Sequence, residues 1–282
     1  MGVDAVYAIG ALLNSEPINI GRLFNTRTFP SAKESVQAVR DFLHDPPIKC
    51  EKTGLDWFLS EEKRQFDREL CKVLAPLFLP VLNAAASLAA LEDGKPPFFT
   101  QQRVGKGGVL FDMHKGRSMS DTDGTGPSSG PADPRRTQVG GLIGPPIIDE
   151  GGQLWDIWEG WMTFCASRSL VPREISRTLF HIEEPCREGE LDLVMEEILG
   201  PRRFHDWFWE GYALMRPGLV SPFGNVSVHI KKDRAYFLKR CELDVWYFGT
   251  GCLKLDLMLL EAKLNHALAA LQRVFLGPLG LS

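Results

Sequence analysis

The sequence from Leu70 to Leu91 reads LCKVLAPLFLPVLNAAASLAAL and carries no charged residue after Lys72. As one helix of about 22 residues it would be about 33 Å long, which is enough to cross the hydrocarbon core of a bilayer. Pro76 and Pro80 lie inside the stretch, and each removes a backbone donor and bends a helix axis. We therefore expect either a straight span or a bent helix that enters and leaves the membrane on the same face.

Four basic residues precede or begin this apolar stretch. They are Lys63, Arg64, Arg68 and Lys72. By the positive-inside tendency they place the start of the stretch on the cytoplasmic side. The alternative interpretation is a core helix of a soluble α/β protein, because length and composition alone do not separate the two.

The composition is that of a folded protein without an overall electrostatic preference for nucleic acid. The chain has 282 residues, 44% of them hydrophobic, and a formal net charge of -4, so we expect a sizeable core and no nucleic-acid partner. Six cysteines without a CxxC pair indicate reduced thiols rather than a zinc site or a disulfide framework. Asp4 stands where a signal peptide would carry a basic residue, so we do not expect export.

The regions before and after the apolar stretch are less regular. A helix is predicted at Ser31–Leu43, in a region without a chemical motif. Short strands are predicted at 97–99 and 108–111, around a glycine-rich turn. The Gly-, Pro- and Ser-rich segment Ser118–Pro134 is predicted to be a loop.

Two further helices are predicted towards the end of the chain. One covers Glu188–Leu199 and stops at Gly200-Pro201. The other covers 253–275, where seven apolar residues recur at helical spacing before Gly277-Pro278. For this last apolar stripe, both core packing and binding at a membrane surface stay open.

The adjacent carboxylates Asp149 and Glu150 are the candidate reactive pair. They follow the apolar turn 144–148 and precede Gly151-Gly152 and an aromatic-rich stretch. Carboxylates at the start of a helix are favoured by the helix dipole alone. Local context therefore leaves a structural role and a reactive role open.

A series of motifs follows one order along the chain: Lys63-Arg64-x-Phe66-Asp67, Pro80, Phe98-Phe99-x-Gln101-x-Arg103-Val104-Gly105, Lys115-x-Arg117-Ser118-Met119, Asp133-Pro134-Arg135-x-Thr137-x-Val139-Gly140, Asp149-Glu150-x-x-Gln153-Leu154-Trp155, Gly160-x-Met162, Arg168-x-Leu170-Val171, Pro217-Gly218 and Leu243-Asp244-x-x-Tyr247. This ordered series resembles the bacterial sugar transferases, the monotopic polyprenyl-phosphate phosphoglycosyl transferases. The resemblance extends from Lys63 to the final helix.

The resemblance implies a fold and a location. The fold is α/β, mostly helical with a small sheet, and has a proline-kinked re-entrant helix that dips into the cytoplasmic leaflet below a cytosolic catalytic domain. We accordingly divide the chain into an N-terminal extension of unknown role (1–60), a membrane-dipping helical segment (61–95) and a catalytic domain (96–282). The expected location is the cytoplasmic face of a membrane.

The resemblance also implies a reaction and its substrates. A nucleotide-activated sugar, expected to be UDP-linked, gives its phosphosugar to a polyprenyl phosphate lipid at the membrane inner leaflet. The Asp of the family dyad attacks the phosphate and the adjacent Glu helps to hold Mg²⁺, so Asp149 and Glu150 are the expected catalytic and metal-binding residues. Association into a homo-oligomer is left open.

Attack by a carboxylate on phosphorus requires that the charge of the phosphate be neutralised. Magnesium prefers oxygen ligands and supplies part of that neutralisation, and basic side chains supply the rest. Four basic residues match family positions and are expected to bind the substrate phosphates: Lys115, Arg117, Arg135 and Arg168.

Several positions depart from the family pattern. Gly144 stands where the family has an Arg, and the residues around Arg168 are Ala166, Ser167 and Ser169 instead of Gly, Pro and Pro. These changes support a second hypothesis, a catalytically impaired membrane-associated relative that acts as a binding or scaffold protein. Binding of a nucleotide sugar without turnover would favour this alternative.

Overall fold

The structure is a computed structural model, which describes residues 51–120, 135–143, 148–172, 204–222, 240–241, 244–245 and 247–275. The predicted helices Ser31–Leu43 and Glu188–Leu199 lie outside the described residues, as do Gly144 and the loop from residue 121 to 134.

The described part of the chain is mostly helical and carries two small two-stranded sheets. Its elements are, in order, α1 (Gly54–Phe58), α2 (Glu61–Asp93), β1 (Phe98–Val104), β2 (Leu110–Gly116), α3 (Gln138–Ile143), α4 (Gln153–Glu159), β3 (Thr163–Cys165), α5 (Phe204–Leu214), β4 (Gly218–Val220) and α6 (Leu253–Phe275). Two 3₁₀ turns, Lys106–Gly108 and Ile148–Gly152, precede β2 and α4. The expectation of a mostly helical protein with few strands is confirmed.

Helix α2 contains the predicted apolar helix and extends it at both ends. It begins after Ser60, whose hydroxyl accepts a hydrogen bond from the backbone N–H of Lys63, and it ends at Gly94, which has a φ of 72°. The helix continues through Pro76 and Pro80. Among the described residues it is the one helix long and apolar enough to cross a membrane, and only 22% of its most apolar part is buried. Such low burial does not fit a helix enclosed in a protein core.

The two faces of α2 have different surroundings. Leu82, Ala86 and Ala89 are buried and face the rest of the protein. The opposite face exposes large apolar side chains at helical spacing, which we call the exposed apolar stripe: Val73, Leu77, Val81, Leu88 and Leu91.

A buried polar network connects α2 to the core. The ammonium of Lys63 lies 2.7 Å from Asp256 of α6 and 3.2 Å from Asp67. Asp256 also accepts hydrogen bonds from the Trp57 indole (3.1 Å) and the Tyr247 hydroxyl, and Asp67 accepts one from Thr163 (2.6 Å). These pairs fix α1, α2, β3 and α6 to one another, because an unpaired charge at this depth would be costly. Trp57 and Phe58, at the end of the predicted N-terminal extension, are thus part of the core.

The predicted strands around the glycine-rich turn form an antiparallel hairpin. Strand β1 pairs with β2 from Phe98 opposite Gly116 to Val104 opposite Leu110, and the turn contains Gly107 with a φ of 68°. The second sheet pairs β3 and β4 in parallel, with Thr163 opposite Gly218.

Helix α6 confirms the predicted final helix from 253 to 275. Of the predicted apolar stripe, Leu257 is buried and Leu253 and Leu260 pack against the core, whereas Leu264 and Leu268 further along are exposed. The apolar stripe therefore packs in the core over its first half and faces outward over part of its second half.

Candidate active site

The dyad lies on the 3₁₀ turn Ile148–Gly152, which leads directly into α4. This turn packs tightly between β2 and α2, and a side chain at either of its two glycines would make close contacts with these elements. A Cβ at Gly152 would lie 2.9 Å from the His114 carbonyl oxygen, and a Cβ at Gly151 would lie 3.2 Å from the Leu82 side chain. The glycines that follow the dyad therefore allow its close approach to both elements.

Asp149 is buried and held by two partners. The ammonium of Lys115, from β2, lies 2.9 Å from Oδ2 of Asp149, and the hydroxyl of Ser118 donates to the same oxygen at 3.1 Å. Burial lowers the pKa of Lys115, but the carboxylates of Asp149 and Glu150 outweigh that effect and raise it above its ordinary value. Lys115 is therefore charged at neutral pH.

Glu150 points towards helix α6. The ammonium of Lys263 lies 3.3 Å from Oε2 of Glu150. Burial raises the pKa of Glu150, but Lys263, Lys115 and Arg168 together lower it below its ordinary value. The Glu150 carboxylate is therefore ionised at neutral pH.

Glu150 lines a polar cleft, and Asp149 adjoins that cleft through its contact with the lining residue Lys115. The walls of this cleft come from β1, β2, the 3₁₀ turn of the dyad, α4, the segment after β3, β4 and α6. Its lining residues are Arg103, Met113, Lys115, Glu150, Gln153, Arg168, Ser169, Gly218, Leu219, Val220, Ser221 and Lys263. The Arg103 guanidinium donates to the Ser169 carbonyl at 2.9 Å and so connects β1 to the segment that carries Arg168.

The four predicted phosphate-binding residues separate into two groups. Lys115 and Arg168 line the cleft beside the dyad. Arg117 is buried and its Nε donates to the Pro96 carbonyl at 2.6 Å, while the Arg135 carbonyl accepts a hydrogen bond from the Ser120 N–H at 2.6 Å. Neither Arg117 nor Arg135 lines the cleft in the described part of the chain. These contacts join the segment after β2 to Pro96, just before β1, and to Arg135.

Asp156 of α4 fixes the orientation of β2 next to Lys115. Its carboxylate accepts the backbone N–H of His114 at 2.9 Å and lies 2.6 Å from Nδ1 of the same residue. Burial raises the pKa of Asp156 above its ordinary value, although both contacts with His114 oppose the shift. The pair connects α4, directly after the dyad, to the strand that supplies the partner of Asp149.

The acidic groups near the cleft determine how a metal ion could bind there. The described residues contain no group of three or more His, Cys, Asp or Glu side chains that could hold a metal. Magnesium does not need one, because it keeps several waters and is commonly bound by one or two carboxylates together with substrate phosphates. The oxygen ligands of Asp149 and of Glu150, which lines a cleft together with several cations, fit that mode of binding.

Sequence reasoning did not identify Lys263 as a site residue. It is one polar position on an amphipathic helix, and nothing in its local sequence distinguishes it from a solvent-exposed lysine. Ser118 was part of a recognised motif, but its hydrogen bond to Asp149 depends on the three-dimensional arrangement.

Comparison with known proteins gives this arrangement a context. A putative undecaprenyl-phosphate N-acetylgalactosaminyl 1-phosphate transferase of Bacillus subtilis is 35% identical over 112 residues, which are 39% of this chain and 63% of the relative. A UDP-N-acetylgalactosamine-undecaprenyl-phosphate N-acetylgalactosaminephosphotransferase of Aeromonas hydrophila is 36% identical over 143 residues, 47% of this chain and 34% of the relative.

A third relative, the UDP-glucose:undecaprenyl-phosphate glucose-1-phosphate transferase of Caulobacter vibrioides, is 36% identical over 109 residues, 38% of this chain and 40% of the relative. The chain thus spans less than two thirds of the length of each of these relatives. The model of one family, described as bacterial sugar transferase, matches residues 58–269, a range that includes the dyad, the cleft and most of α6. The chain therefore belongs to the bacterial sugar transferase family.

Proposed function

We propose that the chain transfers a phosphosugar from a UDP-linked sugar to a membrane polyprenyl phosphate, through a covalent intermediate on Asp149. The observation that carries the proposal is the position of Asp149, next to Glu150 in the chain and 2.9 Å from Lys115, two residues that line a cleft together with Arg168 and Lys263. The relatives support the substrate class, because their names specify UDP-sugars and undecaprenyl phosphate.

In the proposed first step, a carboxylate oxygen of Asp149 attacks the phosphorus that bears the sugar. The bond from this phosphorus to the oxygen bridging the two phosphates breaks, and UMP leaves with the bridging oxygen and its electron pair. Asp149 then carries the phosphosugar as an acyl phosphate. In the second step an oxygen of the polyprenyl phosphate attacks the same phosphorus, which forms the lipid diphosphate sugar and returns Asp149 to its carboxylate form.

The surrounding side chains have distinct parts in this scheme. Lys115 orients the Asp149 carboxylate at 2.9 Å and, with Arg168, compensates the negative charge of the substrate phosphates. Ser118 holds the nucleophilic carboxylate through a hydrogen bond of 3.1 Å. Preorganised charges of this kind are effective because they need not reorganise during the reaction.

Glu150, with Asp149, would hold a magnesium ion. When bound, this ion would neutralise part of the phosphate charge. Lys263 is the present partner of Glu150 at 3.3 Å, so it would share that carboxylate with the ion or move away from it.

We further propose that α2 places the protein at the cytoplasmic face of a membrane and bends at Pro76 and Pro80 to re-enter the same leaflet. The exposed apolar stripe and the low burial of the helix support membrane contact. This position would bring the cleft near the phosphate of a lipid substrate.

The second candidate is a catalytically impaired relative that binds substrates or partners without turnover. It is favoured by the pairing of both dyad carboxylates with lysines, Asp149 with Lys115 and Glu150 with Lys263. If the lysines stayed bound to the two carboxylates, the dyad could hold neither a metal ion nor a phosphosugar.

One experiment separates the candidates. The purified chain in detergent is given Mg²⁺, undecaprenyl phosphate and, in turn, UDP-N-acetylgalactosamine, UDP-glucose and UDP-galactose, and UMP release is measured. We expect release with at least one donor and none from Asp149→Asn, while Asp112→Asn, an exposed carboxylate on β2, keeps full activity. UDP-sugar binding without UMP release or a trapped phosphosugar would establish the impaired relative instead.

A further inference from the structure

We propose that Lys263 binds the diphosphate of the nucleotide sugar and supplies positive charge to the cleft from helix α6. The inference rests on the proposed function, because it assigns a further substrate contact to the same cleft. It adds a residue that lies outside every motif used to recognise the site.

Lys263 reaches the cleft from a distant part of the chain. It lies 113 residues after Glu150, yet its Nζ is 3.3 Å from Oε2 of that residue. It lines the same cleft as Lys115 and Arg168. Cations therefore face the cleft from β2, from the segment after β3 and from α6, so a diphosphate between them would be contacted from more than one side.

The balance of charge around the dyad favours an anionic ligand. Lys115, Arg168 and Lys263 all interact electrostatically with Glu150, and Lys115 also pairs with Asp149. Arg103 also lines the cleft, so four cations and these two carboxylates leave an excess of two positive charges. Lys263 contributes half of that excess, because without it only one positive charge would remain.

The contact between Lys263 and Glu150 leaves the ammonium accessible. It is longer, at 3.3 Å, than the 2.9 Å contact between Lys115 and Asp149, and the Lys263 side chain retains 22% of its exposure. An ammonium has three donors, and Glu150 accepts one of them. A phosphate oxygen that enters the cleft can therefore bond to Lys263 while Glu150 stays in place.

Calorimetric titration of the purified full chain in detergent with UDP and with UMP tests the assignment. We expect Lys263→Met to weaken UDP binding about tenfold and UMP binding less, because UDP carries the additional phosphate. Lys263→Arg should stay within about threefold of the wild type, since it keeps the charge and the donors. Arg273→Met is the matched control, because it removes an exposed cation from the same helix and should leave both affinities unchanged.

The comparison of UDP with UMP distinguishes a ligand contact from a structural role. If Lys263 only positioned Glu150 or stabilised α6, the two affinities would fall together, and this result would overturn the assignment. Lys263→Gln, checked for an unchanged unfolding temperature, repeats the measurement with a second neutral side chain. If the wild type releases UMP from a donor but the neutral variants bind UDP as tightly as it does, the assignment fails and the proposed function stands. If the wild type neither binds UDP nor releases UMP, both fail.

Discussion

The ammonium of Lys115 lies 2.9 Å from the carboxylate of Asp149, and the two side chains come from different elements, the end of β2 and the 3₁₀ turn before α4. The hairpin register fixes Lys115 opposite Phe99, and Asp156 holds the neighbouring His114. The geometry of the pair therefore depends on the hairpin and on the helix that follows the dyad.

Removal of this ammonium should reduce turnover strongly. We expect Lys115→Met to lower kcat about a hundredfold, because it removes one preorganised positive charge from the site of phosphoryl transfer. Lys115→Arg should recover part of the loss. UMP release is the measurement, and Lys106→Met, on the exposed turn between the strands, is the control that should keep wild-type activity. Equal rates for Lys115→Met and the wild type would remove Lys115 from the catalytic scheme.

Two adjacent glycines on α3 offer a sharp comparison. A Cβ at Gly140 would lie 1.9 Å from the Ser118 carbonyl oxygen, whereas a Cβ at Gly141 meets nothing within 4 Å. Gly140→Ala should destabilise the protein by about 1–3 kcal/mol and lower activity, because it displaces the segment whose Ser118 hydroxyl holds Asp149. Gly141→Ala should stabilise it by up to about 1 kcal/mol, since alanine favours helix over glycine. Thermal unfolding and UMP release check both, and similar losses in the two variants would contradict the packing described for Gly140.

Asp244 should make stability depend on pH. Burial raises its pKa to about 6, while Arg240 and the Tyr212 hydroxyl, 2.8 Å away, oppose the shift. Its folded-state pKa thus lies above the unfolded value, so the folded state binds more protons between about pH 4 and pH 6 and stability falls as pH rises through that window. The cost of ionisation at pH 7 is on the order of 3 kcal/mol.

The difference between the wild type and Asp244→Asn isolates this contribution. Free energies of unfolding, measured in detergent from pH 4.5 to 7.5, should fall more steeply with pH in the wild type than in the variant. Asp112→Asn, which removes an exposed carboxylate, should follow the wild-type curve. Parallel curves for the wild type and Asp244→Asn would show that Asp244 does not titrate in this range.

The exposed apolar stripe should hold the protein on lipid. We expect the double substitution Leu77→Lys, Leu88→Lys to release a large share of the protein from vesicles in a flotation assay, because a lysine within the hydrocarbon region costs about 2.5–3.5 kcal/mol. Leu59→Lys, a half-exposed leucine before α2, should leave flotation unchanged. A wild-type chain that stays monomeric and soluble without detergent would contradict the membrane position of α2.

The parts of the fold that sequence predicted are those encoded by local patterns. Three patterns are local in sequence: the apolar content of 70–91, the helical spacing of apolar residues in 253–275, and the glycines between the strands. The helices and the hairpin that they predict are present. Helix α2 begins before the apolar stretch at Leu70, and this first part has no apolar pattern because its cap at Ser60 and its buried residues Lys63 and Asp67 are polar. Polar residues on a buried face carry no hydrophobic signal.

The site was predictable only as far as its motifs. The dyad, Lys115 and Arg168 belong to the recognised series; Glu150, Lys115 and Arg168 line the cleft, and Asp149 contacts Lys115. The roles of Arg117 and Lys263 could not be predicted, because they depend on distances across the fold: Arg117 contacts the Pro96 carbonyl, and Lys263 contacts Glu150 from a helix 113 residues away. Lys and Arg serve both as phosphate ligands and as structural cations, so the residue type does not distinguish the two roles.

Leu82 lies on the buried face of α2, against the turn that carries the dyad. A Cβ at Gly151 would lie 3.2 Å from its side chain, and one at Gly116 only 2.6 Å. Its neighbour Val81 belongs to the exposed apolar stripe. Under the proposed membrane position, the depth to which α2 inserts therefore sets the height of Asp149 above the lipid. A bilayer of different thickness would shift that height, and the reaction rate would then depend on bilayer thickness as well as on the substrate.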